Sequence, residues 1–395
     1  MTTAIILDPS AASFQVVAGI PLIVRTVLSA QRGGFEHVIA YGGAYADRLR
    51  QVLASDPRTR SIPVATGDAR PAVRGERVAL IPSDCLLTPA ALKRVCAAQA
   101  DDALLLFEAG GLHALGSGIL LGPRAILDHV DGHRSLEALL AALPAPVSVP
   151  LGGETCLPVR DAAGVAAAED ELIAGIRAES ADTDGPIARF DRGLSTRISR
   201  VLVRTPLRPN HITMIGTCLG LLAGWCLSRG TYLAGVLGTL LFWFAVIIDG
   251  CDGEVARLKI QDSKFGQLFD VITDNIVHVA IFAGLGVGQY RANPDANYLL
   301  LLGLLVTGFL CATAASVLCL LRHPPVKYLR PQSKKGKLRQ WMLRGFEALM
   351  NRDFAYLLVL LALLGHLDWF LWGAAFGTYA FTGGLVAIYR WRDAI

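Results

Sequence analysis

Apolar positions fall into two regimes along the chain. Up to about residue 205, short apolar runs at 3–7, 36–41, 77–81, 103–108 and 147–151 alternate with stretches of helical period, such as Pro21 to Gln31, Ala44 to Ala54 and Pro89 to Ala98. Strands that alternate with helices in this way predict a mainly parallel sheet with flanking helices. From His211 onward the apolar runs are long, at about 211–229, 232–249, 267–288, 297–321, 354–367 and 369–389. At ~20 residues per hydrocarbon thickness they predict six transmembrane helices. The expected architecture is a cytoplasmic α/β domain over residues 1–180, a juxtamembrane segment over 181–208 and an α-helical integral membrane domain over 209–395.

In the juxtamembrane segment Ile187, Phe190, Leu194, Ile198 and Val201 alternate with Arg189, Arg192, Arg197, Arg200 and Arg204. That pattern predicts an amphipathic helix on an anionic membrane face. The segments after spans two and four carry Arg257, Lys259 and Lys264, then nine basic residues from Arg322 to Arg352. Those after spans one, three and five carry only Arg229 and Arg291. The positive-inside bias puts both termini, and the segment after span two, in the cytoplasm. Met1 to Leu7 has no basic start and runs into Asp8-Pro9, so no signal peptide is expected and the cytoplasmic (inner) membrane is the expected location.

Composition strengthens the membrane reading. Mean hydropathy is +0.46, and charged residues make up 18% against roughly 25% in soluble domains. The net charge of +4 is small and its basic residues sit beside spans, which favours anionic headgroups or phosphate substrates over nucleic acid. The eight cysteines form no CxxC pair and read as free, buried, reduced thiols.

Against this apolar background, residues 249–274 stand out. Asp249-Gly-Cys-Asp252-Gly253-Glu-Val-Ala256-Arg257 is followed by eight residues to Gly266, then Asp270 and Asp274 at intervals of four. Charged groups at membrane depth are expensive and usually functional. At 100° per residue, Asp249, Asp252, Gly253, Ala256 and Arg257 fall within roughly 140° of one another on one helix, and Gly266, Asp270 and Asp274 within roughly 80° on the next. Two helix faces can therefore set four carboxylates across one cleft. Such carboxylates repel unless cations compensate them, and all-oxygen ligands suit one or two hard divalent ions, Mg²⁺, Mn²⁺ or Ca²⁺. Within residues 249–274 the only nitrogen or sulfur ligand is Cys251, which points off the face, and this argues against zinc. A metal clamp suits transfer chemistry on phosphorus. Gly253, Ala256 and Gly266 leave room for a nucleotide diphosphate, Arg257 offers a fork for phosphate oxygens, and Asp274 can take a proton from an attacking hydroxyl. The alternatives are a buried ion network with Arg257, Lys259 and Lys264, or a non-catalytic metal-binding transporter or scaffold. Clustering of the acids at one end of two spans speaks against transport.

The stretch resembles the signature of the CDP-alcohol phosphotransferases, Asp-x2-Asp-Gly-x2-Ala-Arg-x8-Gly-x3-Asp-x3-Asp, at every position. That family also has six membrane helices. The resemblance implies two divalent ions, Mg²⁺ or Mn²⁺, held by Asp249, Asp252, Asp270 and Asp274, with Asp274 doubling as general base. It implies a CDP site shaped by Asp252, Gly253, Ala256, Arg257 and Gly266. It further implies transfer of a substituted phosphate from a CDP-alcohol to an alcohol acceptor with release of CMP, and a homodimer formed through the membrane domain. Pro209-Asn210-His211-Ile212-Thr213 is similar to the Pro-Asn-x-x-Thr that opens the family's first membrane helix. Asn210 and Thr213 are expected to cap that helix, to touch the nucleotide, or both.

The front domain resembles the sugar-phosphate nucleotidyltransferase fold in Ala4 to Leu7, Ala18 to Ile23 and Leu80 to Asp84, where that family has its metal aspartate. Its loop Asp8 to Gln15 has no glycine, arginine or lysine, so it cannot cradle a triphosphate. A degenerate domain with a structural or regulatory role is expected, and Asp84 reads as a turn or cap. The fusion is similar to the bifunctional inositol-phosphate cytidylyltransferase and di-inositol-phosphate-phosphate synthases, also at Thr183-Asp184-Gly185 and at Asn351 to Phe354. A bifunctional enzyme that makes its own CDP-polyol from CTP is therefore the second reading. Lys264, the run from Lys334 to Arg339, and Arg390 are the candidate contacts to a phosphorylated acceptor.

Overall fold

The computed structural model describes residues 2–7, 9–65, 73, 75–98, 103–108, 118–127, 136–152, 154–181, 186–294, 297–322 and 354–393. The chain divides into two units, one of Met1–Ile176 with Leu258–Ile260 and one of Arg177–Arg257 with Gln261–Ile395.

In the front unit the strands are β1 (Thr2–Ile6), β2 (Val16–Val17), β3 (Ile20–Pro21), β4 (His37–Tyr41), β5 (Val64–Ala65), β6 (Arg77–Ile81), β7 (Cys85–Leu87), β8 (Leu105–Glu108), β9 (Ile119–Pro123), β10 (Val147–Pro150) and β11 (Cys156–Pro158). Its helices are α1 (Leu22–Arg32), α2 (Ala46–Ser55), α3 (Pro89–Ala97), α4 (Leu136–Ala142) and α5 (Ala162–Ala181), the last running on into the second unit. Seven strands form one sheet in the order β10-β8-β9-β6-β1-β4-β5. The central pairs are parallel, with Thr3 opposite His37 and Ile5 opposite Leu80. Because strand side chains alternate, Ala4, Ile6, Ala40 and Ile81 enter one core, with α1 and α3 residues such as Ile23 and Leu92. Ile5, Leu7, Ile39 and Leu80 enter the other, with Leu136 and Leu139 of α4. Burial on both faces explains why these strands read as unbroken apolar runs. The sequence pattern did not anticipate β9, which lies antiparallel between β6 and β8.

Leu258–Ile260 are part of this unit. Ile260 sits in its first core at φ 53°, a conformation costly for a β-branched residue. The Arg25 side chain donates to the carbonyl of Leu258 at 2.6 Å and to that of Val17 at 3.0 Å. Arg32 donates to the Ile260 carbonyl at 3.1 Å, and Arg58 to the same carbonyl at 2.5 Å and to that of Lys259 at 3.2 Å. Burial pushes the Arg25 guanidinium down to about 9, so it stays charged at neutral pH. Arg25→Met would remove the donor to the Leu258 and Val17 carbonyls and should cost the full-length protein about 2–4 kcal/mol, measured as a lower midpoint of thermal unfolding in detergent.

The second unit is helical: α6 (Pro186–Leu202), α7 (Pro209–Leu227), α8 (Tyr232–Leu258), α9 (Lys264–Ala292), α10 (Tyr298–Arg322), α11 (Phe354–Leu364) and α12 (Leu367–Asp393). Each of the six apolar runs falls on one of α7 to α12. Among the described residues, α7, α8 and α9 are long and apolar enough to cross a membrane, whereas Tyr298–Ala312 within α10, and α11, are apolar but shorter. The fifth run, expected over 354–367, stops at Leu364. Gly365 at φ 77° donates to Ala362, and His366 to Leu361, a Schellman ending that the β-carbon of another residue would strain. The eleven residues of α11 therefore cover only roughly 17 Å.

Also in this unit, α6 leaves part of its apolar stripe exposed and buries a polar stripe against the protein. Phe190 and Val201 are exposed, while Asp191, Ser195, Thr196 and Ser199 are buried; Ile198 and Leu202 pack with Ile212, Ile248, Cys251 and Val255. Of the cysteines, Cys85, Cys156, Cys226 and Cys251 are buried free thiols, but Cys218 and Cys311 are exposed. Thr183 to Gly185 and the segment 323–353, with the run Lys334 to Arg339 and Asn351 to Asp353, lie outside the described residues.

Candidate active site

Two helix ends build the site. Going into α9, Ser263 takes the N-cap position at φ −144°, ψ 154°, and its hydroxyl accepts from the Gly266 amide at 3.0 Å. A β-carbon on Gly266 would lie 3.2 Å from Ser263 Oγ and 3.5 Å from Asn210 Oδ1, so a larger residue there would crowd both the cap and Asn210. One and two turns further along α9 come Asp270 and Asp274. From the end of α8 comes Asp249, and one carboxylate oxygen from each of Asp249, Asp270 and Asp274 lies within 4.8 Å of the others. The donor set is oxygen only and half-buried, which fits a hard divalent cation and supplies the charge that would otherwise make three close carboxylates repel. Mg²⁺ and Mn²⁺ both match it; Cys251, wholly buried, donates instead to the carbonyls of Ser195 and Ile247.

Asp252, one turn after Asp249, is not in this threesome. Its Oδ2 accepts a short hydrogen bond from Thr213 Oγ1. This corrects the capping role expected of Asn210 and Thr213: α7 opens with Pro209 behind Arg208, and Thr213, on the second turn, reaches across to Asp252. The Pro-Asn-x-x-Thr segment thus joins the motif helices. A β-carbon on Gly253 would meet nothing within 4 Å, and Gly253 and Arg257 are both exposed beside buried Ala256. An open glycine, a small residue and an exposed guanidinium thus lie along one stretch of α8.

What holds α7 against α9 is a seam of small residues not anticipated above. β-Carbons on Gly220, Gly224 and Gly284 would lie 2.5 Å from Val277 Cγ1, 2.6 Å from the Ala280 carbonyl oxygen and 2.2 Å from the Gly224 carbonyl oxygen. Without a hydrophobic drive between helices in lipid, such close backbone approach carries association. The signal was present as Gly216-x3-Gly220-x3-Gly224 and Gly284-x3-Gly288.

At the corresponding strand ends of the front unit the chemistry is different. Ser10 to Gln15 close into a 3-10 turn over Ala11–Phe14, where Ser13 donates to Ser83 at 2.9 Å. Asp84, the candidate metal aspartate, lies 3.4 Å from Arg160. Ser13 and Asp84 are thus paired within the protein.

Comparison with known proteins bears on the second unit. Residues 207–380 match the profile of the CDP-alcohol phosphatidyltransferase family. The matched segment is the helical part of the chain and falls short of half of its length. It contains all eight motif positions. The chain is 31% identical to a bifunctional IPC transferase and DIPP synthase of Rubrobacter xylanophilus over 142 residues, 35% of this chain and 31% of the relative. It is 34% identical to a phosphatidylinositol phosphate synthase of Mycobacterium tuberculosis over 99 residues, 25% of this chain and 44% of the relative. The match thus spans about a third of the first relative's length and under half of the second's. Among solved structures, the chain is similar to the inositol-1-phosphate CTP transferase of T. maritima at 12% identity and a TM-score of 0.33, covering 41% of this chain and 90% of that one.

Proposed function

We propose that the protein is an integral membrane transferase that moves a substituted phosphate from a CDP-alcohol to an alcohol acceptor and releases CMP. The observation that carries this reading is the meeting of Asp249, Asp270 and Asp274 carboxylates within 4.8 Å, inside the segment that matches the CDP-alcohol phosphatidyltransferase family. These residues would hold the metal, with Asp252 as the fourth carboxylate. A bound divalent cation supplies positive charge for the phosphate oxygens. The acceptor oxygen bonds to the phosphorus that carries the donor alcohol, the pyrophosphate P–O bond breaks, and CMP leaves with the electron pair. Asp274 takes the hydroxyl proton. Thr213 fixes the Asp252 rotamer, the open surface at Gly253 admits the diphosphate, and Arg257 receives its oxygens.

The loop charges support six membrane crossings with the site on the cytoplasmic side; among the described residues α7, α8 and α9 are long and apolar enough to cross. The names of the relatives favour inositol phosphate as acceptor. Full-length protein in detergent should release CMP in Mg²⁺ from a CDP-alcohol only when a suitable alcohol is supplied. Donors should be CDP-diacylglycerol and CDP-polyols; acceptors should be inositol, inositol phosphate and glycerol phosphate. No CMP from any pair, with the protein folded, would remove the reading.

The front unit serves as a scaffold and not as a cytidylyltransferase. Support comes from its turn without glycine or basic residues, closed by Ser13 and Ser83, and from the pairing of Asp84 with Arg160. The full chain given CTP and a panel of polyol phosphates should release no pyrophosphate. Pyrophosphate release would establish the bifunctional alternative that the relatives' name suggests.

A further inference from the structure

The motif leaves Glu254 unspecified, yet among the described residues it is the most deeply buried acid of the second unit, with a relative exposure of 0%. At 100° per residue it points roughly 130° away from the centre of the face that carries Asp249 and Asp252, so it does not join the carboxylate cleft. It turns instead toward α6. Ser195 Oγ donates to Glu254 Oε1 at 2.6 Å, and the Arg192 guanidinium lies 3.7 Å from the same oxygen. One turn earlier on α8, Cys251 Sγ donates to the Ser195 carbonyl and Ser199 Oγ donates to the Cys251 carbonyl, each at 3.5 Å. Ser195 thus serves both turns, with its hydroxyl on Glu254 and its carbonyl on Cys251. On the same stripe of α6, Asp191 accepts a short hydrogen bond from the Tyr356 hydroxyl of α11.

A buried ion pair contributes little net stability, because desolvation offsets the attraction. Its best-attested use is to select one register among several that apolar packing would tolerate. The surrounding contacts, Ile198 and Leu202 of α6 against Ile248 and Val255 of α8, are aliphatic and permissive in this sense. A rotation of α8 by a few tens of degrees would carry Asp249 away from Asp270 and Asp274 while keeping the aliphatic contacts filled.

We propose that Glu254 is a positioning residue: through Ser195 and Arg192 it sets the rotation and axial register of α8, and so brings Asp249 to the other carboxylates. The inference rests on the metal-site reading above. Sequence reasoning passed it over because Glu254 occupies an unrestricted position of the motif; the available signal was an acid, in an apolar helix, on the face opposite the motif.

The test is Mn²⁺ binding to the full-length protein in detergent micelles, followed by electron paramagnetic resonance, with unfolding midpoints measured on the same samples. Glu254→Leu keeps most of the volume and should weaken Mn²⁺ binding at least tenfold. Glu254→Gln, which still accepts from Ser195, should stay within about threefold of the parent, and Ser195→Ala should add little to Glu254→Leu because both remove one interaction. A parent-like Mn²⁺ affinity in Glu254→Leu overturns the proposal, whether or not the unfolding midpoint falls. So does equal weakening in the Leu and Gln variants. Asp249→Asn separates the two levels: if the parent binds no Mn²⁺, or Asp249→Asn binds it as well as the parent, the metal-site reading fails and the proposal with it. If Asp249→Asn alone weakens binding, only the role of Glu254 fails.

Discussion

Asp249→Asn and Asp274→Asn should each reduce Mg²⁺-dependent CMP release by on the order of 10²–10⁴-fold while leaving the protein folded. Asparagine preserves shape and one oxygen but removes the charge, so the substitutions probe electrostatics within unchanged packing. The two should differ in a diagnostic way. Asp249 sits at the α8 end of the three-carboxylate group; in the proposed mechanism it acts only as a ligand, so higher Mg²⁺ should recover part of its lost activity. Asp274, to which the proposal also gives the acceptor proton, should stay inactive at any Mg²⁺ concentration. Steady-state CMP release across a Mg²⁺ series, with size-exclusion profiles to confirm folding, decides it. Retained turnover in either variant would falsify the assignment of these aspartates.

The second large effect is on the fold. A β-carbon on Gly284 would sit 2.2 Å from the Gly224 carbonyl oxygen and 2.9 Å from its carbonyl carbon. Both are backbone atoms and cannot swing aside, unlike the far end of a side chain. Gly284→Val therefore has to separate α7 from α9. Overpacking costs about 1–3 kcal/mol even where side chains can yield, and here the loss extends along the seam through Gly220 and Gly288. The expected result is loss of monodisperse protein in detergent and, with it, loss of the relation between Asn210, Thr213 and the motif. Gly303→Val is the control, since a β-carbon at Gly303 meets nothing within 4 Å; it should behave as the parent. A Gly284→Val protein as stable as that control would show that the seam does not hold the two helices.

Much of this was legible before any coordinates. Period and run length placed five strands of the front unit and the starts of the second unit's apolar helices to within a few residues, because burial on one face or two leaves a direct trace in hydropathy. Helical spacing alone put Asp249 on one face and Asp270 with Asp274 on another, and the structure brings those three together. It was silent on β9, whose antiparallel insertion depends on its neighbours in the sheet, and on the division of labour between Asp252 and the other aspartates. Angular position places Asp252 on the motif face, but only the approach of Thr213 from a separate helix fixes where its carboxylate points. The juxtamembrane helix shows the same limit. Its apolar stripe was legible, and Phe190 and Val201 of that stripe are exposed; the burial of Asp191, Ser195 and Ser199 was not, because it depends on hydrogen-bond partners on α8 and α11.

By itself the sequence determined composition-level and local properties: two regimes of hydropathy, many of the helix and strand segments, and the residue types and spacing of a carboxylate motif suited to a hard cation. These follow from periodicity along one element and need no knowledge of a neighbour. Only the tertiary structure decided which groups face one another. The seam of glycines, the Thr213–Asp252 bond, the Glu254–Ser195 contact and the enclosure of Ile260 in the front core all join residues far apart in the chain, where the free energy of an interaction depends on a distance that no single-helix pattern encodes.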